Sequence, residues 1–299
     1  RVAAGEGYEV SQLYIGQMGR LRQVGKLDEA EAVGSRGVVA LVKANQAAMA
    51  TPLALKVIDS LTNRNAPVNI ESMRRLSDLV AAFDLSSSTD SVVQKLKVSK
   101  AACKFASIRS AEKNCVAAVP LVRELHAGLA LDLAALGHYA DAAKHYASAP
   151  DKHAEAHAAL VKQWAADGYA GERDLFGVRA VLNVLASGPD RAPAARRLYA
   201  ALVANGMLSA ASSERGAAPL GHFLDMVFEL VDLVASYTVG KSGSSAAFRA
   251  LLAAYRRSLA GRDGRIAAVA ERVGQIHFGW KPPPGPMDGL MNMFKGAKT

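Results

Sequence analysis

The sequence predicts an all-α fold, a right-handed α-solenoid of TPR-like helical hairpins, and three observations carry that expectation. The first is composition. Of 299 residues 51% are hydrophobic but only 6% aromatic, and the apolar share rests on alanine, whose small side chain favours closely packed helices over sheets. The second is periodicity, since apolar residues recur at spacings of three and four in nearly every segment. The third is a loose internal repeat: a glycine, a leucine or aromatic two residues on, then an acidic residue and an alanine. Copies this degenerate point to stacked helix pairs rather than to an array of identical units.

Taken in order, YEVSQLYIGQMGRLRQVG places Val10, Leu13, Tyr14, Met18 and Leu21 on one helical stripe, with Arg20 and Arg22 toward its edge. Gly25 restarts the pattern, and Leu27, Ala30 and Val33 lead into Val38, Leu41 and Val42. The third copy is LGHYADAAKHYASAP, Leu136 to Pro150. There Gly137 and Ala142 let two helices approach, and Tyr139 and Tyr146 lie two turns apart as core. A weaker fourth copy runs from Asp167 to Ala186. Helix breaks are expected at Asn63 to Pro67, Ser86 to Asp90, Pro150, Gly188 to Pro193, Ser212 to Ala217 and Gly261 to Gly264. They leave room for ~12 to 14 helices of ordinary length. Only 204–221 resists the pattern; its small residues suggest a long loop or short hairpin that serves a partner. After Trp280, Pro282, Pro283 and Pro284 predict a polyproline-like exit into a Met-rich tail.

Several function classes find no support. The first residues lack the apolar run of a signal peptide, and no window offers a membrane span. The nearest, Pro219 to Ala235, is interrupted by His222, Asp225, Glu229 and Asp232 and reads as a buried or interface helix. The chain opens on Arg1 rather than Met, so a trimmed N-terminus is expected. Cys103 and Cys115 have neither CxxC spacing nor a histidine ladder, which suggests a reducing compartment and no zinc site. VGKSGSS, Val239 to Ser245, lacks the first glycine and the preceding strand of a phosphate loop; Ser242 or Ser244 is expected to cap the next helix. HAEAH sets His153 and His157 four apart but offers no third ligand, so it reads as a solvated pair. No nucleophile, base and orienting acid assemble from neighbouring segments, and no cofactor is implied.

A net charge of +9 implies an acidic partner, whether nucleic acid, anionic lipid or protein. Lys95, Lys97, Lys100, Lys104 and Lys113 form a basic strip, but with Phe105 as the sole nearby aromatic it reads as a solvated face rather than an RNA surface. Arg20, Arg22, Lys26, Arg36 and Lys43 fall on the first two hairpins, where helix edges line one surface, and make the better docking patch for an acidic protein.

At the C-terminus, ERVGQIHFGWKPPPGPMDGLMNMFKG resembles the closing helix, proline-containing link and Met-rich tail of the Golgi-to-ER traffic protein 4 family, with Gly274, Gln275 and Phe278 matching directly. GYEVSQLY, Leu27 to Lys43 with Gly37, Leu125 to Asp151 and RDLFGVRAVLNVLA are similar to successive family segments in the same order, Leu27 to Lys43 to a helix pair. The resemblance implies a cytosolic, non-catalytic adaptor in the insertion of tail-anchored membrane proteins. Its N-terminal half (1–124) would face the tail-anchored-protein targeting ATPase and restrain hydrolysis. Its C-terminal half (125–299) would clasp a ubiquitin-like protein and, through it, a co-chaperone carrying the client. For the ATPase the resemblance points to Arg20, Arg36 and Asp59, to which charge and placement add Arg22, Lys26 and Lys43. For the ubiquitin-like partner, Leu220, Phe223, Leu224, Val227, Phe228, Phe278 and Trp280 are expected as large apolar anchors. A generic co-chaperone gripping peptide tails, and less so a helical-repeat RNA binder, are the competing expectations.

Overall fold

The computed structural model describes residues 7–86, 89–109, 116–209, 219–236 and 241–281. Among them thirteen α-helices and no strand occur, in two compact units, Arg1–His153 and Ala154–Thr299. The first holds α1 (Gly7–Gln23), α2 (Leu27–Lys43), α3 (Ala47–Asn63), α4 (Ile70–Ala81), α5 (Thr89–Arg109), α6 (Val119–Ala135) and α7 (Tyr139–Ser148). The second holds α8 (Ala154–Ala166), α9 (Arg173–Leu185), α10 (Ala192–Ala204), α11 (Pro219–Ala235), α12 (Lys241–Ala254) and α13 (Gly264–Phe278).

The glycine of the loose repeat is the centre of one recurring turn. Three-residue links join α1 to α2, α2 to α3 and α6 to α7, and the middle residue of each is left-handed: Gly25 at φ 78°, Asn45 at 57° and Gly137 at 76°. In each, two backbone bonds close the helix end. Gly25 N donates to Arg22 O at 3.1 Å and Lys26 N to Leu21 O at 2.9 Å; Gly137 N donates to Ala134 O at 3.0 Å and His138 N to Leu133 O at 2.9 Å. This pairing satisfies carbonyls that the helix end leaves bare, and glycine or asparagine enters the left-handed region at least cost. The same bonds follow α3 at Asn65 and α10 at Gly206.

In the first unit α1, α2 and α3 pack successively, and α5, α6 and α7 continue the series. Leu41, Leu53, Leu61, Met73, Leu76 and Phe83 are fully buried, each burial worth about 1.5–3 kcal/mol. Close approach is built into α2. A Cβ on Gly34 would lie 2.5 Å from Met18 Sδ and Val57 Cγ2, and one on Gly37 would lie 2.6 Å from Tyr14 Cγ and 2.7 Å from Leu53 Cδ2. Gly37→Ala is therefore expected to cost about 1–3 kcal/mol by overpacking. A thermal melt unchanged from the parent would contradict this.

Several expectations change at this level. Leu27 to Lys43 is one helix, not a pair. The compact units divide at His153/Ala154, and within the first unit α6 packs on α5 and α4. Leu13 is 68% exposed rather than buried with Met18 of the same stripe. Ser242 and Ser244 lie inside α12 rather than capping it. Tyr146 is buried, as expected of a core residue, whereas Tyr139 is only half-buried. The break at Ser212 to Ala217, half of 204–221 and the Pro-rich tail lie outside the described residues.

The second unit is tied by aromatic and ionic contacts. Trp164 meets Phe176 edge to face at 5.0 Å between centroids, and Arg196 lies over the Phe228 ring at 4.6 Å while donating to Phe228 O at 2.9 Å. Arg262 grips both carboxylate oxygens of Asp174, at 2.8 and 2.9 Å, joining the turn before α13 to α9. Asp263 then caps α13 by accepting from Arg265 N at 2.9 Å.

Candidate interaction surfaces

The basic residues singled out by charge stand on the first two helices of the first unit and the link between them, with Asp59 on the third. Arg20 and Arg22 occupy the last turn of α1, Arg36 and Lys43 lie on α2, Lys26 in the link between them, and Asp59 on α3. All six are exposed. Lys26 pairs with Glu29 at 3.0 Å; among the described residues the other four cations have no ion-pair partner. Their position follows from the helix register. The apolar residues at three-four spacing turn inward, so the intervening charged positions turn out. Cations in the last turn of α1 and α2 also complement the helix dipole. Exposed cations such as these, unpaired among the described residues, suit reversible capture of an acidic face.

The expected apolar anchors are arranged otherwise. Leu220, Phe223, Leu224, Val227, Phe228 and Phe278 are at most 2% exposed, within the core of the second unit itself. In this structure they pack as core residues, because the stripe they form on α11 and α13 is covered by α9, α10 and α12. Trp280 alone of the seven is half-exposed. What α11 still offers is the flank of that stripe. Met226, Leu230 and Leu233 recur at i, i+4 and i+7; the first two are half-buried and Leu233 is 38% exposed.

The VGQIHF stretch explains itself as the lock of α13. Gly274 leaves room for Phe248 of α12, since a Cβ there would lie 2.7 Å from the ring. Phe278 packs on the same ring at 4.7 Å between centroids. Gly279 ends the helix at φ 63°, and Trp280 N donates to Gly274 O at 3.1 Å. These positions matter to packing before they matter to any partner.

The chain matches the model of the family described as Golgi to ER traffic protein 4 over residues 25–296. It belongs to the Golgi to ER traffic protein 4 family. The match opens on the turn glycine Gly25 and runs through the α13 lock, leaving Arg20 and Arg22 ahead of it. A curated relative, the Golgi to ER traffic protein 4 homolog of Oryzias latipes, is 26% identical over 305 residues, covering 99% of this chain and 85% of the relative. The crystal structure of Get4 from C. therm. superposes with a TM-score of 0.70 at 19% identity, over 98% of this chain and 90% of that one. The fold is thus the all-α, solenoid-like fold of Get4.

Other residues weighed in the sequence of this family member resolve into structural roles. His153 sits in a short 3-10 turn and meets Glu124 at 3.4 Å, whereas His157 is buried on α8, where desolvation lowers its pKa to about 3. The two are neither a solvated pair nor two ligands on one helix. Lys97, Lys100 and Lys104 are exposed, but Lys95 is held by Asp84 at 2.9 Å and Asp132 at 3.1 Å. Phe105 is 3% exposed and cannot stack on a base. Lys113 and Cys115 lie outside the described residues. No helix among the described residues is long and apolar enough to cross a membrane. One cluster among them does hold metal-ligating side chains, Cys103, His126 and His145. It escaped the sequence reading because its members come from three helices.

Proposed function

We propose that this chain is a non-catalytic cytosolic adaptor of the Golgi-to-ER traffic pathway for tail-anchored proteins. Its first unit docks the tail-anchored-protein targeting ATPase and restrains hydrolysis. Its second unit holds a ubiquitin-like protein that brings a co-chaperone and its client. The observation that carries this reading is the family match together with the exposed cations that have no ion-pair partner among the described residues, Arg20, Arg22, Arg36 and Lys43. Charge of this kind sets encounter rate and orientation, and leaves the complex reversible and sensitive to salt. For the ubiquitin-like partner the half-exposed Trp280 and the flank Met226, Leu230 and Leu233 are the apolar groups available, and Phe223, Phe228 and Phe278 support them from behind.

Reversing Arg20 and Arg36 to Glu is expected to weaken ATPase binding by about tenfold or more, on the order of 1.4 kcal/mol. The residual affinity should lose much of its salt dependence. Calorimetric titration at two ionic strengths reads both quantities. Unchanged affinity would remove this patch from the interface. The generic peptide-gripping alternative predicts instead that short acidic C-terminal peptides bind in fluorescence anisotropy and that the reversal leaves ATPase binding untouched.

A further inference from the structure

Three helices of the first unit bring one thiol and two imidazoles together. Cys103 stands on α5, His126 on α6 and His145 on α7, and their ligand atoms all lie within 4.8 Å of one another. The two Nδ1 atoms are 2.9 Å apart, with the rings tilted by 30°. Cys103 is buried and both histidines are half-buried. Two imidazoles meeting through the same nitrogen can share only one hydrogen bond, with one Nδ1–H donating to the other. They can equally turn both lone pairs toward one cation and keep their protons on Nε2.

We propose that Cys103, His126 and His145 bind one zinc ion, with water in the fourth position. The donor set suits a borderline-soft cation, since zinc takes thiolate sulfur and imidazole nitrogen together and imposes little geometry of its own. Zn–S near 2.3 Å and Zn–N near 2.1 Å at a tetrahedral angle give ligand separations of roughly 3.3–3.6 Å, so even the widest spacing here closes by about 1 Å of side-chain movement. On binding, the Cys103 S–H bond breaks, the sulfur keeps the electron pair and bonds the metal, and the proton leaves to solvent. The field around His145 is mixed, with Asp141 favouring a cation and Lys100 and Lys144 opposing it. The thiolate removes one of the two metal charges and so offsets those lysines. The consequence is a staple joining α5, α6 and α7. Chain stability then rises with zinc concentration by mass action. This inference is independent of the adaptor reading.

The test uses the full chain stripped with chelator and titrated with Co²⁺ as a spectroscopic probe. The expected result is one equivalent bound, with thiolate-to-cobalt charge transfer in the near ultraviolet and tetrahedral visible bands, both erased by Zn²⁺. Cys103→Ser should abolish the charge-transfer band, and His145→Gln should abolish the tetrahedral bands, while Cys115→Ser leaves both. Because Cys103 is buried, His126→Gln and His145→Gln at their half-exposed positions serve if Cys103→Ser fails to fold. Zinc should raise the melting temperature of the parent and not of these two variants. Tetrahedral bands that survive His145→Gln, a band lost in Cys115→Ser, or no band in the parent overturns the proposal.

Discussion

Replacing both Arg64 and Arg75 by Met should destabilise the first unit by about 3–5 kcal/mol, more than the two single replacements together. Glu31 on α2 is fully buried and carries three partners: Ser60 Oγ at 3.1 Å, Arg64 Nη2 at 3.0 Å and a close hydrogen bond from Arg75 Nη1. The guanidiniums are partly exposed, and each also reaches the exposed Asp28, at 3.1 and 3.5 Å. An open cavity of ≈ 230 Å³, lined among others by Asp28, Asn69 and Glu71, brings solvent to their outer side. Removing either arginine leaves the other to hold the carboxylate, so each single change should cost only about 1 kcal/mol. Removing both leaves a buried carboxylate with one hydroxyl. Methionine keeps the packing of the arginine stem, which isolates the charge effect. Adding Glu31→Met to the double variant should then restore most of the loss. Urea unfolding of the four variants reads the coupling directly, and additive single effects would show that Glu31 does not depend on the pair.

What was legible in the sequence follows from which signals are local. Gly25 and Gly137 stood out as marks of the repeat because the pattern lies within one short window, but Gly137 serves a left-handed turn rather than a close helix approach, since a Cβ there would meet nothing within 4 Å. Asn45 makes the same turn and went unread, since asparagine enters that region without being a diagnostic of it, whereas Asn65 falls within the break expected at Asn63 to Pro67. Glu31 was invisible for a related reason. In KLDEAEAVG it stands near Asp28 and Glu29, and only the arrival of Arg64 and Arg75 from distant positions separates the buried acid from the exposed ones. The cations at the ends of α1 and α2 were legible because register alone drives charge outward.

The rest of the candidate site was not legible, and the cause is physical. An apolar stripe at three-four spacing marks a face that must leave water, without saying whether the chain's own helices or a partner will cover it. Leu220, Phe223 and Val227 carry that stripe on α11, and their covering comes from their own unit. Metal-ligating residues are legible only when their spacing is regular within one element. Cys103, His126 and His145 come from α5, α6 and α7, and the hairpin turn at Gly137 is what folds α7 back so that His145 meets His126.

Phe278→Ala should destabilise the second unit by about 3–5 kcal/mol, the usual cost of emptying a buried aromatic site. Phe278 is fully buried against Phe248, and Phe248 in turn occupies the space that Gly274 leaves open. Gly274→Ala should act through the same ring at about 1–3 kcal/mol, by overpacking rather than by a cavity. Trimming the ring with Phe248→Leu in that background should recover part of the loss, a coupling expected only of residues that share one packing site. The contrast with α11 decides what these aromatics do. If Phe278 is core, Phe278→Leu lowers stability while the folded fraction still binds the ubiquitin-like partner with near-parental affinity. Leu233→Glu on the exposed flank then does the reverse, leaving the melt intact and weakening binding. If binding were lost in Phe278→Leu at an unchanged melting temperature, the ring would be a contact after all, reached only when α13 moves away from α12.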